Sequence, residues 1–167
     1  LRARSSAERT FQVHGNLNYM RCAEECSLEI YAIPNEMPAM GREEELPAEL
    51  WQRLICPKCG RRARPHVLLW DETYNEPHYR FESSLKAAEK TDLLLIVGST
   101  GSTNLPHHVL RTVLRNNGVI VDINIERNAF SEIALGNKRG FFVKAHSSTA
   151  LSAICEIVRK QYVQQEN

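Results

Sequence analysis

Two cysteine pairs, Cys22-x3-Cys26 and Cys56-x2-Cys59, constrain this chain more than any other feature. Four thiolates carried on two short turns can converge to the tetrahedral four-sulfur geometry that zinc accepts. With all four positions filled by protein, such an ion scaffolds and does no chemistry. Lys58, Arg61, Arg62 and Arg64 are expected to offset the charge of the thiolates. Disulfides, a redox Cys-x-x-Cys and plain buried thiols are the alternatives. Disulfides are disfavoured without a secretion signal, and a redox pair would open a helix, whereas Pro57 and Gly60 favour a turn. Structural zinc is the reading taken. The fifth cysteine, Cys155, falls at helical spacing among Leu151, Ile154 and Val158 and is expected to be a core thiol.

The second knuckle feeds directly into an apolar run, "HVLLW", read as a strand. Before it, Phe11 to His14 and Leu17 to Arg21 read as short strand pieces broken by Gly15 and Asn16. Residues 27–55, with Pro34, Gly41, Pro47 and the acidic run Glu43 to Glu45, read as a loop-rich insertion with one short helix near Pro47 to Leu54. Beyond the knuckle the pattern alternates. A helix is expected behind Pro77 with Phe81, Leu85 and Ala88 on one face, then the buried strand "DLLLIVG" covered on both faces. A helix over "LPHHVLRTVLRNNG" follows, with His107 and His108 facing solvent, and then the strands "VIVDIN" and "FFV". A closing helix over "SSTALSAICEIVRKQY" precedes a tail expected to fray. The alternation predicts an α/β fold, a parallel Rossmann-like sheet with an inserted four-cysteine zinc-ribbon module. The expected division is residues 22–59 for the metal module, with 1–21 and 60–167 forming the sheet domain.

In such sheets ligands lie at the carboxyl ends of the strands. Three of those ends carry small or polar residues, "IVGSTGSTN", "DINIE" and "KAHSS". Gly98 admits close backbone approach, Ser99 and Thr100 offer hydroxyls, and Asn124 and Glu126 are suited to ribose hydroxyls. Gly-Ser-Thr after a strand is equally ordinary turn chemistry, so pattern alone leaves a nucleotide site open.

As an ordered set, "RARSSAERTFQVHGNL", Cys22 and Cys26, "CPKCGRRARPHVLLWDE", "LLLIVGST", "VDIN" and "FFVKAHSS" resemble the sirtuins, the NAD-dependent protein deacylases. The resemblance covers nearly the whole chain. It implies removal of an acyl group from lysine with release of nicotinamide and O-acyl-ADP-ribose. His14 matches the general base of the family's His-Gly step, and Cys22, Cys26, Cys56 and Cys59 match its zinc ligands. Gly98, Ser99, Thr100, Asn124, Ile125, Glu126 and Ala145 match cofactor contacts. Leu68, Trp70, Asp71 and Glu72 match the strand against which an acylated-lysine peptide adds. NAD and structural zinc are thus the implied cofactors, and an acyl-lysine protein the implied partner.

Departures from the family pattern bear on specificity. Trp70-Asp71-Glu72 stands where the family has Phe-Gly-Glu, so a wider aromatic and an extra carboxylate are expected at the acyl-lysine channel. The "GSTGSTNLP" loop is richer in glycine and serine than its counterpart. No Gly-Ala-Gly phosphate loop and no Gln-Asn-x-Asp nicotinamide pocket occurs, and the chain opens on Leu1, so it is expected to be the C-terminal portion of a sirtuin. ADP-ribosyl transfer or NAD hydrolysis on the same scaffold, and a non-catalytic zinc-ribbon module that binds a partner, are the alternatives. A net charge of +1 gives no bulk attraction to nucleic acid or to an anionic membrane. No apolar run approaches the ~20 residues of a membrane span, and an intracellular, cytoplasmic location is expected, with nuclear or organellar sites left open.

Overall fold

The computed structural model describes residues 9–35, 37, 38, 41 and 43–165. Most of the "LRARSSAERT" segment therefore lies outside the described residues, as do 166 and 167. The chain divides into two compact units, Leu1–Ser84 and Leu85–Asn167.

The first unit is built on a three-stranded antiparallel sheet in the order β2-β1-β3. Strand β1 (Gly15–Cys22) pairs with β2 (Ile30–Ala32) on one side and with β3 (Ala63–Val67) on the other. Gly15 opens β1 at φ +79°, and a Cβ there would stand 2.1 Å from the His66 carbonyl oxygen, so no other residue fits. Of the two expected strand pieces, Phe11 to His14 is loop and turn, because the Gly15 N–H turns back to the Gln12 carbonyl at 2.8 Å. Gly15 and Asn16 open β1 and do not break it, with a register irregularity between Asn16 and Met20. The expected "HVLLW" strand lies three residues earlier. Its ladder closes where its partner begins, with the Leu68 N–H donating to the His14 carbonyl at 3.1 Å. The stretch 27–55 holds strand β2 as well as the expected short helix, α1 (Ala48–Trp51). Met20, Leu54 and Ala63 form a small core, backed by Tyr31, Ile33, Met37 and Leu46. Past β3 a turn leads into α2 (Glu76–Tyr79), which is capped by the Asn75 side chain accepting from His78 N–H. Helix α3 (Phe81–Glu89) follows.

The second unit is a three-stranded parallel sheet in the order β4-β5-β6, from Leu93–Val97, Val119–Asn124 and Gly140–Lys144. Parallel neighbours need crossovers, supplied by α4 (Asn104–Arg115) and α5 (Ala129–Leu135). Pro106 is tolerated because it lies in the first turn of α4, where no N–H partner is lost. Helix α5 was not anticipated. It is short, but the Asn128 side chain accepts from the N–H groups of Phe130 and Ser131 and completes a capping box. Ile96, Leu110, Val113, Ile120, Phe130 and Ala134 make the core with Ala88.

The edge strands are covered on one face only, since Leu93, Val97, Phe141 and Val143 remain exposed among the described residues. Cys155 is exposed, not a core thiol, because Ala150, Leu151 and Ile154 form the packed edge of α6 (Ser147–Gln165) and Cys155 is turned away from it. His107 does not face solvent. Its ring packs on Phe130 at 4.6 Å and its Nε2 bonds the Gly101 carbonyl at 2.8 Å, whereas His108 is exposed. Helix α6 continues to Gln165, so residues 163–165 of the expected frayed tail are helical in backbone.

Candidate functional site

The metal-type cluster follows from the β1–β3 ladder. Cys22, the last residue of β1, lies opposite Ala63, the first residue of β3, so both cysteine pairs are drawn to one end of the ladder. Backbone bonds from Ala23 N–H to the Arg62 carbonyl (3.0 Å) and from Cys56 N–H to the Arg61 carbonyl (2.6 Å) close the knuckles together. The Sγ atoms of Cys22 and Cys59 are 3.6 Å apart, as are those of Cys26 and Cys56. All four lie within 4.8 Å of one another. An ion ~2.3 Å from each of four tetrahedral sulfurs sets them roughly 3.8 Å apart, so the four thiols could hold zinc. The peptide chain prepares the charge. The N–H of residue 26 directed at Cys22 leads the effects that lower its thiol to about 7, and the N–H of residue 59 likewise holds Cys56 low. Cys26 is pushed up to about 12, first by its hydrogen bond with Cys59.

The basic residues expected to neutralise the thiolates are mostly engaged elsewhere. Arg61 pairs with Glu24 at 3.5 Å, and the Arg62 guanidinium lies over the Trp51 ring at 4.5 Å. Arg64 pairs with Glu72 and also donates to the Val67 carbonyl at 3.1 Å.

Glu72 forms the hub of the turn after β3. Its carboxylate accepts from Arg64, from buried Arg21 at 3.3 Å and from the Leu69 N–H at 3.0 Å. Desolvation opposes its ionisation, but the Arg64 and Leu69 hydrogen bonds and the two guanidinium charges outweigh it, so the carboxyl is held below its ordinary value. Glu72 therefore builds the turn. Its neighbours present outward, with Trp70 wholly exposed (101%) and Leu69 and Asp71 exposed as well, while Leu68 is half-buried in the last ladder bond.

His14, just before the Gly15 turn, exposes its ring. Its Nε2 lies 2.8 Å from the hydroxyl of Tyr74, across a sequence separation of 60 residues, and the ring centroids are 5.6 Å apart. Tyr74 stacks on Phe81 at 5.2 Å. Burial pushes its phenol above the ordinary value. Nothing local in the sequence singles out Tyr74, because only the fold brings the loop before α2 back to the start of β1.

In the second unit the fold ties Gly98, Ser99, Asn124 and Ala145 together at one edge of the parallel sheet. The ends of β4, β5 and β6 are tied by Gly98 N–H to the Ile123 carbonyl (3.0 Å), Asn124 Nδ2 to the Ser99 carbonyl (3.0 Å) and Ala145 N–H to the Asn124 carbonyl (3.1 Å). Gly98 has φ +62° and open space where a side chain would stand, which leaves its backbone approachable. Thr100, Ile125 and Glu126 are exposed, and the Thr100 hydroxyl lies 3.0 Å from that of Ser102. Asn124 already braces two loops, since its Oδ1 also accepts from the Ile125 N–H at 2.9 Å. One amide proton and one lone pair remain to it. The free donors and acceptors along this edge could take the hydroxyl groups of a ligand. Beneath it, fully buried Asp122 accepts from Asn128 at 3.1 Å, and burial raises its carboxyl above the ordinary value. Among the described residues no helix is long and apolar enough to cross a membrane.

A model of the Sir2 family matches residues 1–104. A protein named NAD-dependent protein deacylase from Pyrococcus furiosus is 27% identical over 160 residues, which cover 96% of this chain and 58% of that protein. One of the same name from Aquifex aeolicus is 25% identical, covering 97% of this chain and 59% of its own. The chain thus spans somewhat over half the length of these relatives. Among solved structures, a triple mutant of a Sir2 homologue in complex with 2'-O-acetyl ADP ribose superposes with a TM-score of 0.71 at 20% identity, over 96% of this chain and 55% of that one. Sir2Tm bound to a propionylated peptide gives 0.66 at 16% identity, over 93% and 57%. At those identities the likeness establishes the fold, and the family match over more than half of the sequence establishes descent: the chain belongs to the Sir2 family, the sirtuins.

Proposed function

We propose that this chain forms the His-Gly step, the metal-braced ribbon and part of the cofactor sheet of an NAD-dependent protein-lysine deacylase. The observation that carries the reading is the Sir2 family match across residues 1–104, the stretch containing His14, all four clustered cysteines and Gly98 to Thr100. Relatives named NAD-dependent protein deacylase, and a Sir2 structure with a propionylated peptide, support the same class.

NAD, when bound, supplies a sugar carbon that becomes electrophilic as nicotinamide departs. The residues of this chain bind, position and move protons around it. His14 takes a proton from a ribose hydroxyl, a task suited to imidazole near neutrality and worth typically ~10²–10⁴-fold. Gly98, Ser99 and Thr100 offer backbone and hydroxyls to the nucleotide, and Asn124, Ile125, Glu126 and Ala145 hold its adenosine end. Leu68, Trp70 and Asp71 meet the acyl-lysine peptide, and Glu72 fixes the turn that carries them. Zinc on Cys22, Cys26, Cys56 and Cys59 holds the ribbon so that β1 and β3 keep their register. In this reading residues 22–59 are the metal module and 1–21 with 60–167 the cofactor domain. The partner is an acyl-lysine protein, with neither membrane nor nucleic acid engaged directly. A reducing intracellular compartment, the cytoplasm first, suits four thiolates kept free for metal.

The test is deacylation of a panel of acyl-lysine peptides by the complete protein, followed by mass spectrometry, with nicotinamide release measured in parallel. The wild type should remove at least one acyl group in an NAD-dependent manner, and His14→Ala should lower kcat by about 10²-fold or more. No NAD-dependent acyl removal from any peptide, or undiminished turnover by the histidine variant, would overturn the reading.

A further inference from the structure

We infer that Tyr74 is a positioning residue for His14, accepting a hydrogen bond from Nε2–H and thereby leaving Nδ1 as the atom that takes up the substrate's proton. The inference rests on the proposed deacylase reading for what His14 does, and on geometry for how its ring is held.

The contact joins Nε2 and the phenol oxygen at 2.8 Å, a full hydrogen bond. Either group could donate, and the two possibilities have opposite consequences. If the phenol donated to Nε2, the neutral ring would carry its proton on Nδ1 and present no free lone pair outward. If Nε2–H donates to the phenol oxygen, Nδ1 keeps its lone pair and can act as a base. Only the second arrangement leaves the exposed ring competent for the assigned role. During the reaction the substrate O–H bond breaks, an N–H bond forms at Nδ1, and Nε2–H stays on the tyrosine oxygen. That oxygen then accepts from a cation, which strengthens the bond as charge appears.

Both partners are held in place before any ligand arrives. The His14 backbone is set by the Gly15 turn, which admits no Cβ, and by the bond from Leu68 N–H. Tyr74 lies between two fixed points. Upstream the Glu72 carboxylate locks the 69–72 turn, and downstream Asn75 caps α2. The Tyr74 ring is stacked on Phe81 with an interplanar angle of 15°. Burial raises the phenol above its ordinary value, so it stays protonated and uncharged at neutral pH. A carboxylate in its place would hold the transferred proton on the ring by charge, whereas the phenol orients the ring without that trap.

The experiment compares wild type, Tyr74→Phe and His14→Ala in the complete protein. The first readout needs no substrate: ¹⁵N NMR of the His14 ring reports its tautomer. Wild type should show the Nε2–H form enriched beyond its share in free neutral histidine, and Tyr74→Phe, which keeps the stack on Phe81, should relax toward the free-histidine ratio. The second readout is kinetic. Tyr74→Phe should lower kcat by about tenfold with the KM values for NAD and peptide changed less than twofold, as expected for one lost orienting bond. A dominant Nδ1–H form in the wild type, a tautomer ratio unchanged by Tyr74→Phe, or an unchanged kcat would each overturn the inference. If His14→Ala is inactive while Tyr74→Phe behaves as wild type, the tyrosine proposal fails and the deacylase reading stands. Full turnover by His14→Ala sinks the reading itself, and the NMR arm still decides the hydrogen bond.

Discussion

At the scale of single residues, the contacts that set the candidate site are those that chemistry-bearing motifs do not advertise. Glu72 illustrates this. The sequence places it in a segment facing a substrate, yet in the fold it neutralises Arg64 and the buried Arg21 and pins the turn that presents Trp70. Its carboxyl is held below the ordinary value of 4.5 in the folded protein. The linkage sign follows: the stabilisation is present above that value and is lost as pH falls through the lower, folded one. Replacing Glu72 by Gln should cost about 2 kcal/mol at pH 7, because Arg21 is left buried with one charged partner fewer. The gap between wild type and variant, measured by urea denaturation, should narrow steadily as pH falls below 4.5, with metal loss common to both proteins. A gap independent of pH would mean that Glu72 acts through shape alone.

At the scale of elements, spacing was the stronger guide. The Cys-x3-Cys and Cys-x2-Cys pairs announced a four-sulfur cluster, and the ladder pairing of Cys22 with Ala63 is the means by which they meet. The purified protein should contain one zinc per chain, which metal analysis would measure. Cys26→Ser should lower that stoichiometry sharply, since a three-thiolate site binds zinc more weakly, whereas Cys155→Ser, on the exposed flank of α6, should leave it at one. Zinc-free protein prepared under reducing conditions would remove the scaffold role. Helices α3, α4 and α6 were legible from apolar spacing, and the strands of the parallel sheet from their apolar runs. Helix α5 escaped because seven residues give too few turns for periodicity, and its cap depends on Asn128, which also satisfies buried Asp122. Strand β2 escaped because three residues cannot show alternation.

At the scale of the whole molecule, two cores stand in one chain, Met20, Leu54 and Ala63 in the first unit and the larger Ile96–Phe130 group in the second. The first core is small, and bound metal stabilises a fold by its own binding free energy when the unfolded chain lacks the site. Chelation should therefore raise amide hydrogen exchange across β1 and β3 by at least tenfold, while β4, β5 and β6, which hold no metal ligand, stay protected. Equal loss of protection in both sheets would show that the second core depends on the first. What the sequence determined alone was whatever depends on near neighbours: the knuckles, the apolar strands, the amphipathic helices and the order of motifs that marks the family. Pairing partners and contact pairs were decided only by the tertiary structure. The strand after the second knuckle joined β1 antiparallel and not the parallel sheet, and Tyr74 reached His14 from 60 residues away. The reason is physical: spacing along a chain encodes which faces are apolar and which turns are tight. Which distant groups share a hydrogen bond depends on how those faces are buried together.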